Sequence, residues 1–294
     1  MFGFLNIDKP KGITSHDVIG ILRKLTKIKQ IGHAGTLDPF AVGVLPVCIG
    51  KATRLIEYLE GEKAYLATVQ FGAQTDTYDL DGKFTKKFDK KITKEDLKKE
   101  LNNFEGEIEQ IPPIYSAIKV NGKKLYEYAR KGESIEIQPR KVFIEKIELQ
   151  NFDFENQSAK IYIKCSKGTY IRSIAHDMGQ NLSCGGYLTA LQRVQAGKFF
   201  IENSIKLEDL KSFEDVQKKI LNPLNMLDLP IIQANDTGLK KIKFGQELDK
   251  NDTTSQFEML NCNNIILVYN KDVENICAIA QVCDKKIVIK KVFI

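Results

Sequence analysis

The chain has 294 residues, of which 43% are hydrophobic and 28% are charged, as in an ordinary globular protein. Its length allows one large domain or two unequal ones, and no apolar run is long enough to predict a membrane span. The net charge of +6 is a mild basic excess that suits a polyanionic partner. The six cysteines show no C-x-x-C pair and no histidine at metal-ligand spacing. We therefore expect reduced thiols, no metal site and a cytoplasmic location.

The N-terminal residues predict a strand followed by a helix. Residues 2–7 are apolar enough for a short strand, which a turn rich in Pro and Gly ends at residues 8–12. Thr14 or Ser15 can cap the helix that comes next, because a side-chain hydroxyl accepts from the first free backbone N–H groups. Four apolar residues then fall on one helical face: Val18, Ile21, Leu22 and Leu25.

Residues 31–43 form a glycine-rich loop with a single acidic side chain, Asp38. Glycines permit backbone angles that other residues avoid, and Pro39 pushes Asp38 toward an extended conformation. Asp38 lies between apolar Leu37 and Phe40, where a carboxylate needs a cation to remain ionised. The loop therefore predicts either a reactive carboxylate with a distant arginine partner or an ordinary turn in which Asp38 bonds nearby backbone N–H groups.

The next two elements are a short helix and a strand. Apolar residues at helical spacing predict the helix over 52–59, with Arg54 and Glu57 facing solvent or a ligand. Residues 63–72 alternate as a strand, with Tyr65 at its beginning. Tyr65 could point into a cleft or pack in the core with a solvated hydroxyl.

The middle of the chain combines an exposed helix with a basic, tyrosine-containing segment. A capping box at Thr93 and Asp96 predicts a polar helix to about residue 103. Between residues 112 and 132 the chain carries two prolines, two glycines, three tyrosines and five cations. These are the residue types of a hinged loop that stacks on bases and binds phosphates.

A second candidate position for site residues comes after the strand at 159–165. That strand stops at residues 167–168, and helical periodicity begins at Ile171. Tyr170 and Arg172 therefore lie at a strand-to-helix junction, where site residues are common. Arg172 is a candidate partner for Asp38.

The remaining chain predicts one more long strand and a small C-terminal unit. Residues 187–198 fit a strand in which Leu188, Ala190 and Gln192 face opposite to Thr189, Leu191 and Arg193. Prolines at 223 and 230 suggest a domain boundary. After it we expect a helix over 237–244 and strands near 257–260, 264–269, 275–281 and 286–293, a unit too small to be very stable unless it docks on the rest.

Five blocks of residues resemble the TruB family, the tRNA pseudouridine-55 synthases. They occur in family order over about residues 3–200 and are residues 6–15, 32–39, 43–46, 165–172 and 188–191. The C-terminal resemblance is looser and rests on residues 244–246 and 291–293.

The resemblance implies an α+β fold with a mixed, mainly antiparallel sheet and flanking helices over residues 1–228. It also implies a thumb insertion over about 112–141 and a PUA-like RNA-binding domain over 229–294. The implied reaction is isomerisation of a uridine in the tRNA T loop, after base flipping, by a monomer that needs no cofactor and no protein partner.

The resemblance also assigns roles. Asp38 would be the nucleophile and Arg172 would pair with it, while Tyr65 would stack on the uracil and assist removal of the C5 proton. The substrate-binding residues would be His33, Tyr170 and Leu191, with Lys9 and Pro10 supporting the cleft and Lys123, Lys124 and Arg130 in the thumb. Such chemistry suits these residue types, since an anion must attack either C6 of the base or C1′ of the sugar.

Two other classes remain open. One is a non-catalytic RNA-binding or tRNA-folding protein that keeps the same scaffold. The other is a guide-dependent pseudouridylase of the archaeal and eukaryotic branch, although the chain lacks a long basic low-complexity tail.

Overall fold

A computed structural model describes residues 1–59, 61–133, 135–254, 263–273, 275–283 and 286–294. The described strands are β1 (Gly3–Lys9), β2 (Ile31–His33), β3 (Val42–Ile49), β4 (Lys63–Phe71), β5 (Ala73–Thr75), β6 (Phe84–Lys87), β7 (Gly106–Gln110), β8 (Lys119–Val120), β9 (Lys123–Lys124), β10 (Arg140–Asp153), β11 (Ser158–Cys165), β12 (Gly186–Ala196), β13 (Phe199–Phe200), β14 (Ile205–Lys206), β15 (Ile231–Gln233), β16 (Ile265–Asn270), β17 (Asn275–Cys283) and β18 (Lys286–Val292). The described α-helices are α1 (Ser15–Thr26), α2 (Lys94–Leu101), α3 (Leu125–Lys131), α4 (Ile171–Asn181), α5 (Phe213–Lys218), α6 (Pro223–Met226) and α7 (Asp236–Lys243).

A large mixed sheet forms the centre of the molecule. Its strand order is β14-β1-β3-β12-β4-β11-β10-β7, with β2 and β13 pairing beside β3 and β12. Neighbouring strands run antiparallel except at β1 with β14 and β3 with β12. The mixed, mainly antiparallel sheet with flanking helices is confirmed.

Local sequence signals explain the helices of this sheet. Thr14 caps α1 and Thr93 caps α2, each through a capping box with an aspartate three residues later. The apolar face of α1 packs against β1 and β3, while α2 and α4 pack against the other half of the sheet. Both predicted caps and both predicted helices are confirmed.

The predicted helix over 52–59 is a 3₁₀ helix, Gly50–Tyr58, whose charged residues also reach the C-terminal strand. Arg54 donates to Val292 O at 2.9 Å and lies over the Phe293 ring, while Glu57 pairs with Lys291. Arg54 and Glu57 are both exposed to solvent, as expected, and they also contact the C-terminal strand.

Strand β12 departs from simple alternation. Its pairing with β4 shifts register between Leu188 and Ala190, which places Leu188 and Leu191 in the same buried cluster. A β-bulge adds one residue to a strand and so reverses the facing of the residues after it. The prediction that Leu188 and Leu191 face opposite sides is therefore wrong.

A second sheet, with order β15-β16-β17-β18, comes after α6. It docks on the large sheet: Leu267 and Phe293 belong to one apolar cluster with Phe4, Val44 and residues of the 3₁₀ helix. The β-rich C-terminal unit is confirmed for three of its predicted strands, while 257–260 lies outside the described residues. The boundary at 228/229 and the PUA-like assignment stay predictions.

The described cysteines are all free thiols, four of them buried, and Cys262 lies outside the described residues. Across the described ranges, no helix is both long and apolar enough to cross a membrane.

Candidate active site

The glycine-rich loop between β2 and β3 is held from several sides and presents Asp38. Its flanking side chains Leu37 and Phe40 are buried, and Ser15 both donates to and accepts from the backbone of Leu37. Gly35 and Gly43 have φ of +98° and +100°, which L side chains rarely adopt. The loop is therefore a fixed support, and the Asp38 carboxyl projects from it with 34% of its side chain exposed.

Arg172 binds the Asp38 carboxylate with two nitrogens. Nε lies 3.0 Å from Oδ2 and Nη2 lies 3.3 Å from Oδ1, a bidentate pair between residues 134 positions apart. Tyr170 is the residue that precedes α4, so Arg172 lies in the first turn of that helix. The structure thus brings together the carboxylate and the cation that the sequence indicated.

A second carboxylate, Asp79, completes this arrangement, and the sequence pattern did not single it out. Arg172 Nη1 lies 3.3 Å from Asp79 Oδ2, and both side chains are 6% exposed. Burial raises the pKa of Asp79, while a hydrogen bond from Thr77 and the charge of Arg172 oppose that rise. The signal that could have found Asp79 is the polar run at residues 75–79, directly after β4 and β5.

The guanidinium also bonds two backbone carbonyls. Nη1 donates to Thr77 O at 3.2 Å, and Nη2 donates to Tyr115 O at 3.0 Å. Arg172 therefore links the Asp38 loop, the segment after β5 and the base of the predicted thumb.

A cavity of about 550 Å³ opens beside Asp38. Its lining includes Tyr65, Tyr170, Arg172 and Leu191. Tyr65 is 7% exposed, and burial raises the pKa of its hydroxyl. Carboxylate, guanidinium and apolar walls thus meet in a space that can hold a planar ring.

Lys9 and His33 lie near this cavity but do not line it. Lys9 is fully buried, and its ammonium donates to the carbonyls of Pro10, Ile13 and Pro39. Burial lowers the pKa of Lys9 to about 8. Lys9 therefore fastens the Asp38 loop to the exposed Pro10 turn. His33 is half-buried, its Nδ1 has no hydrogen-bond partner in the described part of the chain, and burial lowers its pKa.

Arg193 is another residue whose position the sequence could not give. It is the largest fully buried side chain of the described residues and lies opposite Tyr65 in the pairing of β12 with β4. Its Nε donates to Val44 O at 2.6 Å and its Nη2 to Gly35 O at 3.0 Å. Arg193 therefore supports the Asp38 loop by binding backbone carbonyls within it and just after it.

The segment between β7 and β10 contains the β8–β9 hairpin and α3. Lys124 and Arg130 lie over the Tyr126 ring, and Lys123 lies over the Tyr128 ring. Tyr126 lines the cavity, whereas the three cations do not. Lys124 and Arg130 therefore lie next to an aromatic ring that faces the cavity, whereas Lys123 lies over Tyr128, which does not line it.

In the described part of the chain, no group of three or more His, Cys, Asp or Glu side chains could hold a metal ion.

Solved structures share this architecture. The Cbf5 chain of a Cbf5–Nop10–Gar1 complex superposes with a TM-score of 0.74 at 24% identity, over all of this chain and 85% of that chain. A second structure, the archaeal box H/ACA sRNP Nop10–Cbf5 complex, gives a TM-score of 0.73 at 23% identity, over 99% of this chain and 86% of that chain. The large sheet and its cleft therefore have the pseudouridine synthase fold.

Sequence comparison names the family within that fold. The N-terminal domain model of the TruB family pseudouridylate synthases matches residues 23–171, and the tRNA pseudouridylate synthase B C-terminal domain model matches residues 172–227. A relative named tRNA pseudouridine synthase B from Clostridium kluyveri is 46% identical over 83% of this chain and 84% of its own. Another from Prochlorococcus marinus is 41% identical over 92% of this chain and 91% of its own. The chain belongs to the TruB family of tRNA pseudouridylate synthases and is an isomerase that acts on tRNA.

Proposed function

We propose that this enzyme converts uridine 55 in the T loop of tRNA to pseudouridine, with Asp38 as the nucleophile. The observation that carries the proposal is the bidentate Asp38–Arg172 pair at the wall of a cavity that Tyr65 and Leu191 also line. Tyr170, at the start of α4, would form a further wall of the uracil pocket.

The reaction breaks the bond from C1′ to N1 and makes a bond from C1′ to C5, so the base must detach, turn and rejoin. C5 loses its proton and N1 gains one, which makes the product an isomer of the substrate. Asp38 supplies the attacking oxygen. Arg172 holds both carboxylate oxygens and so fixes the direction of attack. The partly enclosed cavity keeps the detached base from diffusing away.

The target base must first leave the stacked loop. Flipping a nucleotide costs a few kcal/mol, and stacking on an aromatic ring returns about 1–3 kcal/mol. Tyr65 lines the cavity and can supply that stacking surface. His33, at the end of β2, would contact the nucleotides displaced with it.

The enzyme would act on tRNA as a monomer without a protein partner, as the family resemblance implies. Three cations of the predicted thumb would bind the phosphates of the T stem-loop, Lys123, Lys124 and Arg130. The Lys9–Pro10 turn would support the cleft.

The test is to incubate the purified protein with an unmodified tRNA and to map the position of pseudouridine. Asp38→Asn should bind an unmodified T stem-loop within a few-fold of wild type and form no pseudouridine, because an amide oxygen is a poor nucleophile. Asp81→Asn, at an exposed carboxylate, is the matched control and should keep full activity. Undiminished pseudouridine formation by Asp38→Asn would remove Asp38 as nucleophile, and binding without any product from wild type would favour the non-catalytic class.

A further inference from the structure

Lys63 lies in the cavity, and the proposed chemistry does not use it. It is the first residue of β4, two positions before Tyr65, so both side chains lie on the same face of the strand. Lys63 lines the same cavity as Asp38 and Tyr65.

The ammonium of Lys63 has no hydrogen-bond or ion-pair partner among the described residues. The acidic residue next to it, Glu62, pairs instead with Lys164, which also binds Glu145. The Lys63 side chain extends over Gly35, where a Cβ would lie 3.1 Å from Nζ. The absence of a side chain at Gly35 therefore leaves the space that Nζ occupies.

A second cation without a carboxylate approaches the same point. Arg193 Nη1 lies 3.5 Å from the same Cβ position on Gly35, is fully buried and has no hydrogen-bond partner among the described residues, although the Tyr65 hydroxyl lies near this guanidinium. The other two nitrogens of this guanidinium bond only neutral backbone carbonyls. Within the described residues, two positive charges therefore converge beside the Asp38 loop and no carboxylate pairs with either of them.

Such an arrangement is unfavourable until an anion arrives. Burial of a charge costs free energy unless an opposite charge pairs with it. Burial, with the charge of Arg193 adding to it, lowers the pKa of Lys63 to about 8. Asp38 does not neutralise the charges of Lys63 and Arg193, since Arg172 already binds both of its carboxylate oxygens.

We propose that Lys63 binds a backbone phosphate of the RNA next to the nucleotide that enters the cavity, and that the charge of Arg193 strengthens this contact. The inference rests on the proposed function, because a nucleotide whose base reaches Asp38 carries its flanking phosphates to the mouth of the same cavity. A phosphate there would neutralise the charge that the protein leaves uncompensated.

The test measures binding of a T stem-loop in the Asp38→Asn background, where no product forms. Adding Lys63→Met, which keeps the length of the side chain, should weaken binding about ten-fold, because a charge-assisted hydrogen bond is lost. It should also reduce the slope of log K against log salt by about 0.7–0.9. Lys63→Arg should keep the slope, and Lys146→Met, at a surface lysine paired with Glu148, is the matched control.

A chemical substitution in the RNA identifies the phosphate. Methylphosphonate linkages, which carry no charge, replace the phosphates on either side of the target uridine one at a time. One of them should weaken binding to the Lys63 protein about ten-fold and have no further effect on Lys63→Met. Equal losses in both proteins, or an unchanged salt slope for Lys63→Met, would overturn the proposal.

Two controls separate this proposal from its alternatives. Lys63→Met should melt at the same temperature as wild type or higher, since it removes repulsion from Arg193; a lower melting temperature with an unchanged salt slope would show a purely structural lysine. Wild type is also assayed for pseudouridine formation on the same unsubstituted RNA. If it forms product but the methylphosphonate substitutions give equal losses in both proteins, only the role of Lys63 is contradicted. If it forms no product, the proposed function is contradicted.

Discussion

At the scale of residues, the site depends on one guanidinium shared by two carboxylates. Arg172 uses Nε and Nη2 for Asp38 and Nη1 for Asp79, an arrangement that only the planar fork of arginine can make. Because Asp79 is buried and bonded to Thr77, it fixes the far side of the guanidinium. Asp79 is therefore a positioning residue, which acts on Asp38 through Arg172.

Arg172→Lys should separate charge from geometry. A lysine ammonium keeps one positive charge but cannot bind both oxygens of Asp38 and also reach Asp79, so we expect the rate of pseudouridine formation to fall about 100-fold or more. Binding of the T stem-loop should change only a few-fold, because Arg172 acts on Asp38 and not on phosphates. Single-turnover assays with excess enzyme, beside titration of the RNA, measure the two quantities.

The control for this substitution is Arg54→Lys, at an exposed position of the 3₁₀ helix that does not line the cavity. It should change neither the rate nor the affinity. A rate for Arg172→Lys within three-fold of wild type would show that the bidentate geometry is not needed.

At the scale of elements, the loop that carries Asp38 depends on close packing against β12. Gly43 has φ of +100°, and a Cβ there would lie 2.3 Å from Arg193 O. The backbone of β3 can approach β12 at this point only because glycine has no side chain.

Gly43→Ala should therefore cost more than the backbone strain alone. We expect a loss of unfolding free energy of about 3 kcal/mol or more, from a strained φ together with a clash against backbone. Gly12→Ala is the matched control, since Gly12 has φ of +89° with nothing within 4 Å of its Cβ position. Gly12→Ala should lose about 1 kcal/mol, and equal losses in urea unfolding of the two variants would contradict the packing argument.

The segment from 112 to 141 makes a prediction about salt. Replacing Lys123, Lys124, Arg130 and Lys131 with glutamine should weaken RNA binding and reduce the slope of log K against log salt by about 3, if each cation contacts one phosphate. The control replaces Lys94, Lys98 and Lys99 of α2 in the same way. An unchanged slope in the first variant, or an equal change in the control, would show that this segment does not bind phosphates.

The elements show which parts of the fold a sequence can predict. Helix α1 and strands β4 and β11 have strong periodicity and clear caps or turns, and they were predicted within a few residues. The bulge in β12 was not predicted, because it is imposed by pairing with β4 and leaves no mark in the alternation itself. Sequence patterns reflect interactions between residues that are close in the chain, and they do not report pairing between distant strands.

The same limit applies to the site. Asp38 stood out because glycines and proline surround it, and Arg172 because it comes after a strand end. Asp79 and Arg193 did not stand out, since their importance comes from partners far along the chain, Arg172 and Gly35. A buried charge cannot be told from an exposed one until the fold brings its neighbours together.

At the scale of the whole molecule, the two sheets are joined by a shared apolar core. Leu267 and Phe293 of the C-terminal unit pack with Phe4 of β1 and Leu55 of the 3₁₀ helix. Lys51 donates to Phe293 O at 2.8 Å and thereby holds the end of the chain on the 3₁₀ helix. A unit of this size buries little apolar surface alone, so docking supplies much of its stability.

This shared core predicts that damage at the junction reaches both sheets, whereas damage inside the C-terminal unit does not. Leu267 is fully buried in the shared cluster, and Ile287 is fully buried in a cluster formed by the C-terminal unit alone. Truncation of either residue to alanine should cost about 2–5 kcal/mol of unfolding free energy.

The two variants should nevertheless differ in where hydrogen exchange accelerates. Leu267→Ala removes contacts that β1 also uses, so amides of both β1 and β17 should exchange faster, while Ile287→Ala should accelerate β17 and leave β1 at its wild-type rate. Unchanged exchange in β1 of Leu267→Ala would mean that the two sheets are stable independently, and the docking seen in the structure would then contribute little to the stability of the catalytic sheet.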